Sequence, residues 1–165
     1  MFLIKIPFTF GIHKSKVKTD KQCQVTNIYR PSISKNDCEA LGVGFMQKKI
    51  LIAEDYADIR LMMKMLVRGY GYEVIEASDG YDAIEKVRQY HPDLILMDLS
   101  MPIMNGLTAT EIIRTFDGME KVPIIAVTAY GKSFYSKAIR AGCNDVLGKP
   151  LDFDNLEPLL NRYLS

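Results

Sequence analysis

From Lys49 onward the chain alternates, five times over, a short apolar run with a stretch of helical periodicity. This alternation limits the possible folds more than any other feature. Lys49–Ala53 (KILIA) reads as a buried strand ending in Glu54 and Asp55. Ile59, Met62, Met63 and Leu66 then fall on one helical stripe, closed by Gly69 and Gly71. Met is an ordinary gap-filler, so this stripe is expected to be core packing. Glu73–Ala77 (EVIEA) is a second strand, and Gly80–Tyr90 a helix stopped by Pro92. Leu94–Met97 (LILM) is a third strand, ending at Asp98, with Pro102 and Asn105-Gly106 marking the loop after it. A third helix is expected to bury Ala109, Ile112, Ile113 and Phe116. Ile124–Val127 leads to Thr128, and Lys132–Ala141 is a helix closed by Gly142. Asp145–Leu147 is a short fifth strand ending near Lys149-Pro150, and Leu156, Leu159, Leu160 and Tyr163 mark a last helix. Pro158 is expected in or near the first turn of that helix, where a missing N–H is tolerated. Five βα units in series predict an α/β fold: a doubly wound, five-stranded parallel sheet with helices on both faces.

Residues 1–48 differ in character. They carry 8 Lys/Arg and 3 Asp/Glu, a net of +5, whereas residues 49–165 carry 13 and 17, a net of −4. Pro7, Gly11, Pro31, Gly42 and Gly44 interrupt every candidate element, and Lys14, Lys16, Lys18 and Lys21 form a basic cluster. The boundary is placed at 48/49, with residues 1–48 an irregular N-terminal extension whose fold the sequence leaves open. The chain as a whole carries +1, which makes no case for nucleic acid or membrane binding. No apolar run approaches the ~20 residues of a membrane span. The apolar start lacks a basic region before it and a small-residue cleavage site after it, so no signal peptide is expected. Cys23, Cys38 and Cys143 show no disulfide or metal-site spacing and read as reduced thiols of a cytoplasmic protein.

In such a sheet, ligands bind beyond the C-terminal ends of the strands. There the sequence places Glu54 and Asp55 after the first strand, Asp98 after the third, Thr128 after the fourth and Lys149 after the fifth. Any one of these alone is more often a cap or a solvated turn residue. Together they are three carboxylates, a hydroxyl and an amine on one edge. Two carboxylates ~4 Å apart repel by about 4 kcal/mol at an effective dielectric near 20, so three of them call for a cation. All-oxygen ligands suit Mg²⁺, which keeps several waters and accepts a phosphoryl oxygen. The amine can neutralise a second phosphoryl oxygen, and the hydroxyl can donate to a third.

LILMDLSMPIMNG (94–106) resembles the phosphoacceptor segment of response regulator receiver domains. ILIAED (50–55), AVTAY (126–130) and Lys149-Pro150 are similar to that family's other landmarks, in order. The resemblance covers residues 49–165 and implies a flavodoxin-like (βα)5 fold. It implies that Asp98 accepts phosphate from a histidine kinase or histidine phosphotransfer protein, altering the binding of a downstream protein. Glu54 and Asp55 would form the acidic pocket. Asp55, Asp98 and the backbone carbonyl of Ser100 would ligate Mg²⁺, while Thr128 and Lys149 would bind the phosphoryl group. The Lys149–Pro150 bond is expected to be cis. One position departs from the pattern: the family's aromatic switch residue, three places before the lysine, is Val146 here. Signal from Thr128 is therefore expected to pass through the loop at 129–133, where Tyr130 and Gly131 lie, or to be read directly by a partner.

Other classes fit less well. A transcription factor would need an output domain, and only the last helix follows Lys149; no helix-turn-helix pattern occurs in the basic extension, so direct DNA binding is not expected. A haloacid-dehalogenase-like phosphatase would need a second Asp two residues after its nucleophile, and position 100 is Ser. A flavin domain would have no use for Asp98 facing Glu54, Asp55 and Lys149. The chain is expected to be a switch, not an enzyme with a substrate of its own.

Overall fold

The computed structural model describes residues 47–129 and 132–165. The cluster Lys14–Lys21, Cys23 and Cys38, and the loop residues Tyr130 and Gly131, lie outside the described residues. The elements run β1 (Lys49–Ala53), α1 (Ala57–Gly69), β2 (Glu73–Ala77), α2 (Gly80–Tyr90), β3 (Leu94–Asp98), α3 (Gly106–Ile113), β4 (Ile124–Thr128), α4 (Lys132–Ala141), β5 (Asp145–Gly148) and α5 (Phe153–Leu164). The strands form one sheet in the order β2-β1-β3-β4-β5, and all its pairings are parallel.

Strand periodicity sorts the core into two layers. Leu51, Ala53, Ile95, Met97, Ile124 and Ala126 point to one face and pack with Ala83, Ile84 and Val87 of α2, Ala109 and Ile113 of α3, and Ala138 of α4. Ile50, Ile52, Leu94, Leu96, Ile125 and Val127 point to the other and meet Met63 and Val67 of α1 and Leu156, Leu159 and Leu160 of α5. Helices on both faces explain why every residue of β3 and β4 is buried. The chain leaves β1 for β2 on one side and returns to β3 on the other. The order therefore reverses between β1 and β3, and a crevice opens at their C-terminal ends.

Three sequence expectations are corrected. The apolar stripe of α1 is rotated: Met63 and Val67 are its buried residues, and Met62 is exposed. Phe116 packs on the core from beyond the end of α3, in the turn that follows. Pro158 is the sixth residue of α5, past the first turn. The helix begins early because the Asp152 carboxylate accepts the backbone N–H of Asp154 (3.1 Å) and the side-chain amide of Asn155 (2.6 Å). The proline is tolerated because it lies on the exposed face. Cys143 is a buried free thiol, and burial raises its pKa. No described helix is long and apolar enough to cross a membrane.

Candidate functional site

The crevice at the β1/β3 reversal is where the acids meet. Carboxylate oxygens of Glu54, Asp55 and Asp98 all lie within 4.8 Å of one another. Asp98 is the last residue of β3, buried to 3% exposure because its strand is central to the sheet. Glu54 follows β1 directly and is fixed by its backbone N–H, which donates to the Ala77 carbonyl of β2 (3.1 Å). Its own carbonyl accepts from the Arg60 guanidinium (2.6 Å), which also reaches the Asp55 carbonyl (3.3 Å). Arg60 thus clamps the acidic turn to the first turns of α1. Sequence reasoning missed this role, because nothing in the spacing marks which basic residue of a helix folds back.

Lys149 comes from the opposite edge of the sheet. Its backbone N–H donates to the Thr128 carbonyl (2.8 Å), carrying it to the end of β4. Its ammonium then donates to both Glu54 Oε2 and Asp98 Oδ2, each at 2.7 Å. Burial alone would lower the Lys149 pKa, but the bonds to Asp98 and Glu54 outweigh it and the net shift is upward. Glu54 is pushed up by desolvation, and the charge of Asp98 adds to this despite the compensating bond from Lys149. One ammonium neutralises part of a three-carboxylate set and leaves an excess of negative charge. Two buried oxygens, Glu54 Oε1 and Asp55 Oδ1, have no hydrogen-bond partner. Such orphaned carboxylate oxygens are costly unless a cation or water meets them. The donor set is all oxygen, the chemistry that fits a hard divalent ion.

Ser100 donates its backbone N–H to Asp98 Oδ1 (2.9 Å), orienting the carboxylate. Thr128 is fully buried at the end of β4, one residue beyond the Val127–Asp98 register pair. Gly106 is a part of the site that the sequence did not announce. A Cβ there would stand 2.1 Å from the Asp98 carbonyl oxygen, so only glycine lets α3 start this close to the strand end. The Lys149–Pro150 bond is cis. Val146 pairs with Ala126 on β4 and packs, partly buried, against the α2–α4 layer.

The model of the response regulator receiver domain matches residues 50–161. The chain belongs to that family. It is 38% identical over 122 residues to the chemotaxis protein CheY of Bacillus subtilis, covering 73% of this chain and all of CheY. It is 44% identical over 119 residues to hybrid signal transduction histidine kinase G of Dictyostelium discoideum, but spans 70% of this chain and only 4% of that protein. Among solved structures it resembles the receiver domain of a Pseudomonas aeruginosa sensor histidine kinase with magnesium in its active-site cleft (33% identity, TM-score 0.67, 72% of this chain, 98% of that one). It also resembles the Saccharomyces cerevisiae Ssk1 receiver domain, crystallised with the histidine phosphotransfer protein Ypd1 (26% identity, TM-score 0.66, 71% and 88%). This receiver domain is a phosphoacceptor switch of two-component phosphorelay signalling.

Proposed function

We propose that Asp98 is the phosphoacceptor and that residues 49–165 carry the whole reaction. One observation carries the reading: Lys149 bridges Glu54 and Asp98 at 2.7 Å while Glu54 Oε1 and Asp55 Oδ1 stay partnerless. The pocket is built for a metal ion and a phosphoryl group together. Mg²⁺ is the ion we assign, held by Asp55, Asp98 and the Ser100 carbonyl with Glu54 beside it; when bound it supplies charge neutralisation for the incoming phosphoryl oxygens.

The rest is the work of the chain's own residues. A carboxylate oxygen of Asp98, aimed by the Ser100 N–H, forms a bond to phosphorus. The donor's phosphorus–nitrogen bond breaks, and the departing imidazole takes up a proton from water. Lys149, already within reach of Asp98, follows the transferred charge and pairs with a phosphoryl oxygen. The Thr128 hydroxyl donates to another. The phosphoryl donor is a histidine kinase or a histidine phosphotransfer protein, the kind of partner that the Ssk1 receiver holds in its complex. Acceptance and self-hydrolysis at Asp98 would be the domain's own chemistry, and its product is an altered surface for a downstream protein. We place this in the cytoplasm, where a free thiol such as Cys143 stays reduced.

Acetyl phosphate with Mg²⁺, followed by intact mass, tests the assignment. The wild-type chain should gain one phosphoryl group and Asp98→Asn none. Equal labelling of Asp98→Asn would move the acceptor elsewhere.

A further inference from the structure

Three successive carbonyls of the acidic turn converge on one residue. Arg60, the fourth residue of α1, donates its backbone N–H to the Tyr56 carbonyl (2.9 Å). Its guanidinium Nη1 donates to the Glu54 carbonyl (2.6 Å) and to the Asp55 carbonyl (3.3 Å). Each peptide unit is planar. The Glu54 carbonyl belongs to the peptide before Asp55, and the Asp55 carbonyl to the peptide after it. Holding both fixes the two backbone rotations at Asp55, and with them the direction in which its side chain leaves the chain. The usual lock on a helix entry is missing here: Tyr56 stands at the N-cap of α1 and makes no capping bond with its side chain. The side chain of Arg60 reaches back from within the helix and holds the turn instead.

What Arg60 leaves alone is as informative as what it binds. An arginine this close to converging carboxylates would ordinarily pair with one of them. Among the described residues its ion pair is instead with Glu76 of β2 (3.8 Å), which also holds Lys64. Asp55 Oδ1 stays buried and without a partner. Lys149 meets Glu54 and Asp98, so Asp55 is the acid of the three that neither cation pairs with. The guanidinium thus fixes the backbone of Asp55 without neutralising its carboxylate. Two opposite effects on a bound cation follow. As a nearby positive charge, Arg60 repels a divalent ion. As the group that sets Asp55 in place, it favours one, because partners that orient a ligand typically contribute tenfold or more to metal affinity. The sign of the change on removing Arg60 tells which effect wins.

We propose that Arg60 is a positioning residue for the cation pocket: by holding the carbonyls on both sides of Asp55 it aims that carboxylate at a divalent ion, and this outweighs the repulsion of its own charge. This rests on the reading of the pocket as a Mg²⁺ site. The test titrates the full chain with Mg²⁺ alone and follows the backbone amide NMR signals of residues 54–56. Arg60→Met keeps an apolar stem and removes charge and donors together. Its Kd for Mg²⁺ should rise about tenfold, the scale of losing a ligand's supporting bond. Arg60→Lys keeps the charge on a stem one atom shorter, and its Kd should rise by about threefold, since an ammonium does not reproduce the guanidinium geometry. Urea denaturation of the same chains separates this from a role in stability alone, which would lower the midpoint and leave Kd where it was. Either variant binding Mg²⁺ as tightly as the wild type would overturn the proposal. Tighter binding by Arg60→Met would overturn it too, by showing that Arg60 acts only as a repelling charge. Should Arg60→Met not fold, the Kd of Arg60→Lys decides by the same rule. A wild-type chain whose signals at 54–56 ignore Mg²⁺ refutes the reading of the pocket itself, an outcome distinct from failure of the variants to differ.

Discussion

At the scale of single residues the site is a balance of charge held by backbone. The acids, Thr128 and Lys149 were legible because each follows an apolar run, and a parallel sheet brings such positions to one edge. What was not legible depends on close approach. Gly106 looks like an ordinary turn glycine in Asn105-Gly106, yet its missing side chain is what lets α3 begin against the end of β3. A Cβ would stand 2.1 Å from the Asp98 carbonyl oxygen and 2.9 Å from Met97 Cγ. The strand end cannot give way without loosening the Leu99 N–H bond to the Val127 carbonyl (3.1 Å). Gly106→Ala should therefore cost about 3 kcal/mol, as overpacking at a rigid backbone contact does, and should slow labelling by acetyl phosphate. Urea denaturation gives the first number and intact mass the second. A wild-type midpoint in Gly106→Ala would mean that the contact yields freely. The positive φ of Ile103 was hidden for a similar reason: it is set by what anchors the residues on either side, and no residue type in MPIMNG declares it.

At the scale of elements, periodicity gave each helix its place and was least reliable about phase and ends. On α1 the pattern Ile59, Met62, Met63, Leu66 admits two neighbouring stripes, and packing selects the one through Met63 and Val67. On α3, Phe116 continues the apolar spacing, but the helix stops at Ile113 and the phenylalanine reaches the core from a turn. There the Arg88 guanidinium lies 4.4 Å from its ring centroid. On α5 the side chain of Asp152 starts the helix, and Pro158 falls inside it, with no N–H to offer the Asp154 carbonyl. An interior proline is worth about 3 kcal/mol less than alanine. The stiffer unfolded chain returns roughly 1 kcal/mol of that. Pro158 is on the exposed face, so removing its ring forfeits little packing. Pro158→Ala should stabilise the domain by about 1–2 kcal/mol on this reckoning. The urea midpoint should rise at constant slope. A lower midpoint would show that the proline ring contributes packing to α5.

At the scale of the whole molecule, the acidic crevice links folding to a ligand. Residues 49–165 carry 17 acids against 13 basic groups, and three of the acids converge within 4.8 Å at one point. Lys149 offsets part of that repulsion, and Asp55 Oδ1 and Glu54 Oε1 are left facing it without partners. The unfolded chain separates these charges, so metal-free folding is opposed by bringing them together. A divalent ion that binds the folded site and not the unfolded chain should stabilise by RT ln(1 + [L]/Kd), about 2.7 kcal/mol at a hundredfold excess over Kd. Thermal unfolding in EDTA and in graded Mg²⁺ should therefore show a Tm that climbs with the logarithm of Mg²⁺ once the site is saturated. Asp55→Asn separates the two halves of this account. It removes one of three like charges, so in EDTA its Tm should equal or exceed that of the wild type. It also removes a ligand, so the Mg²⁺-dependent rise should shrink or vanish. An Asp55→Asn chain that is less stable in EDTA yet gains as much from Mg²⁺ as the wild type would mean that Asp55 serves the fold and that the ion is held without it.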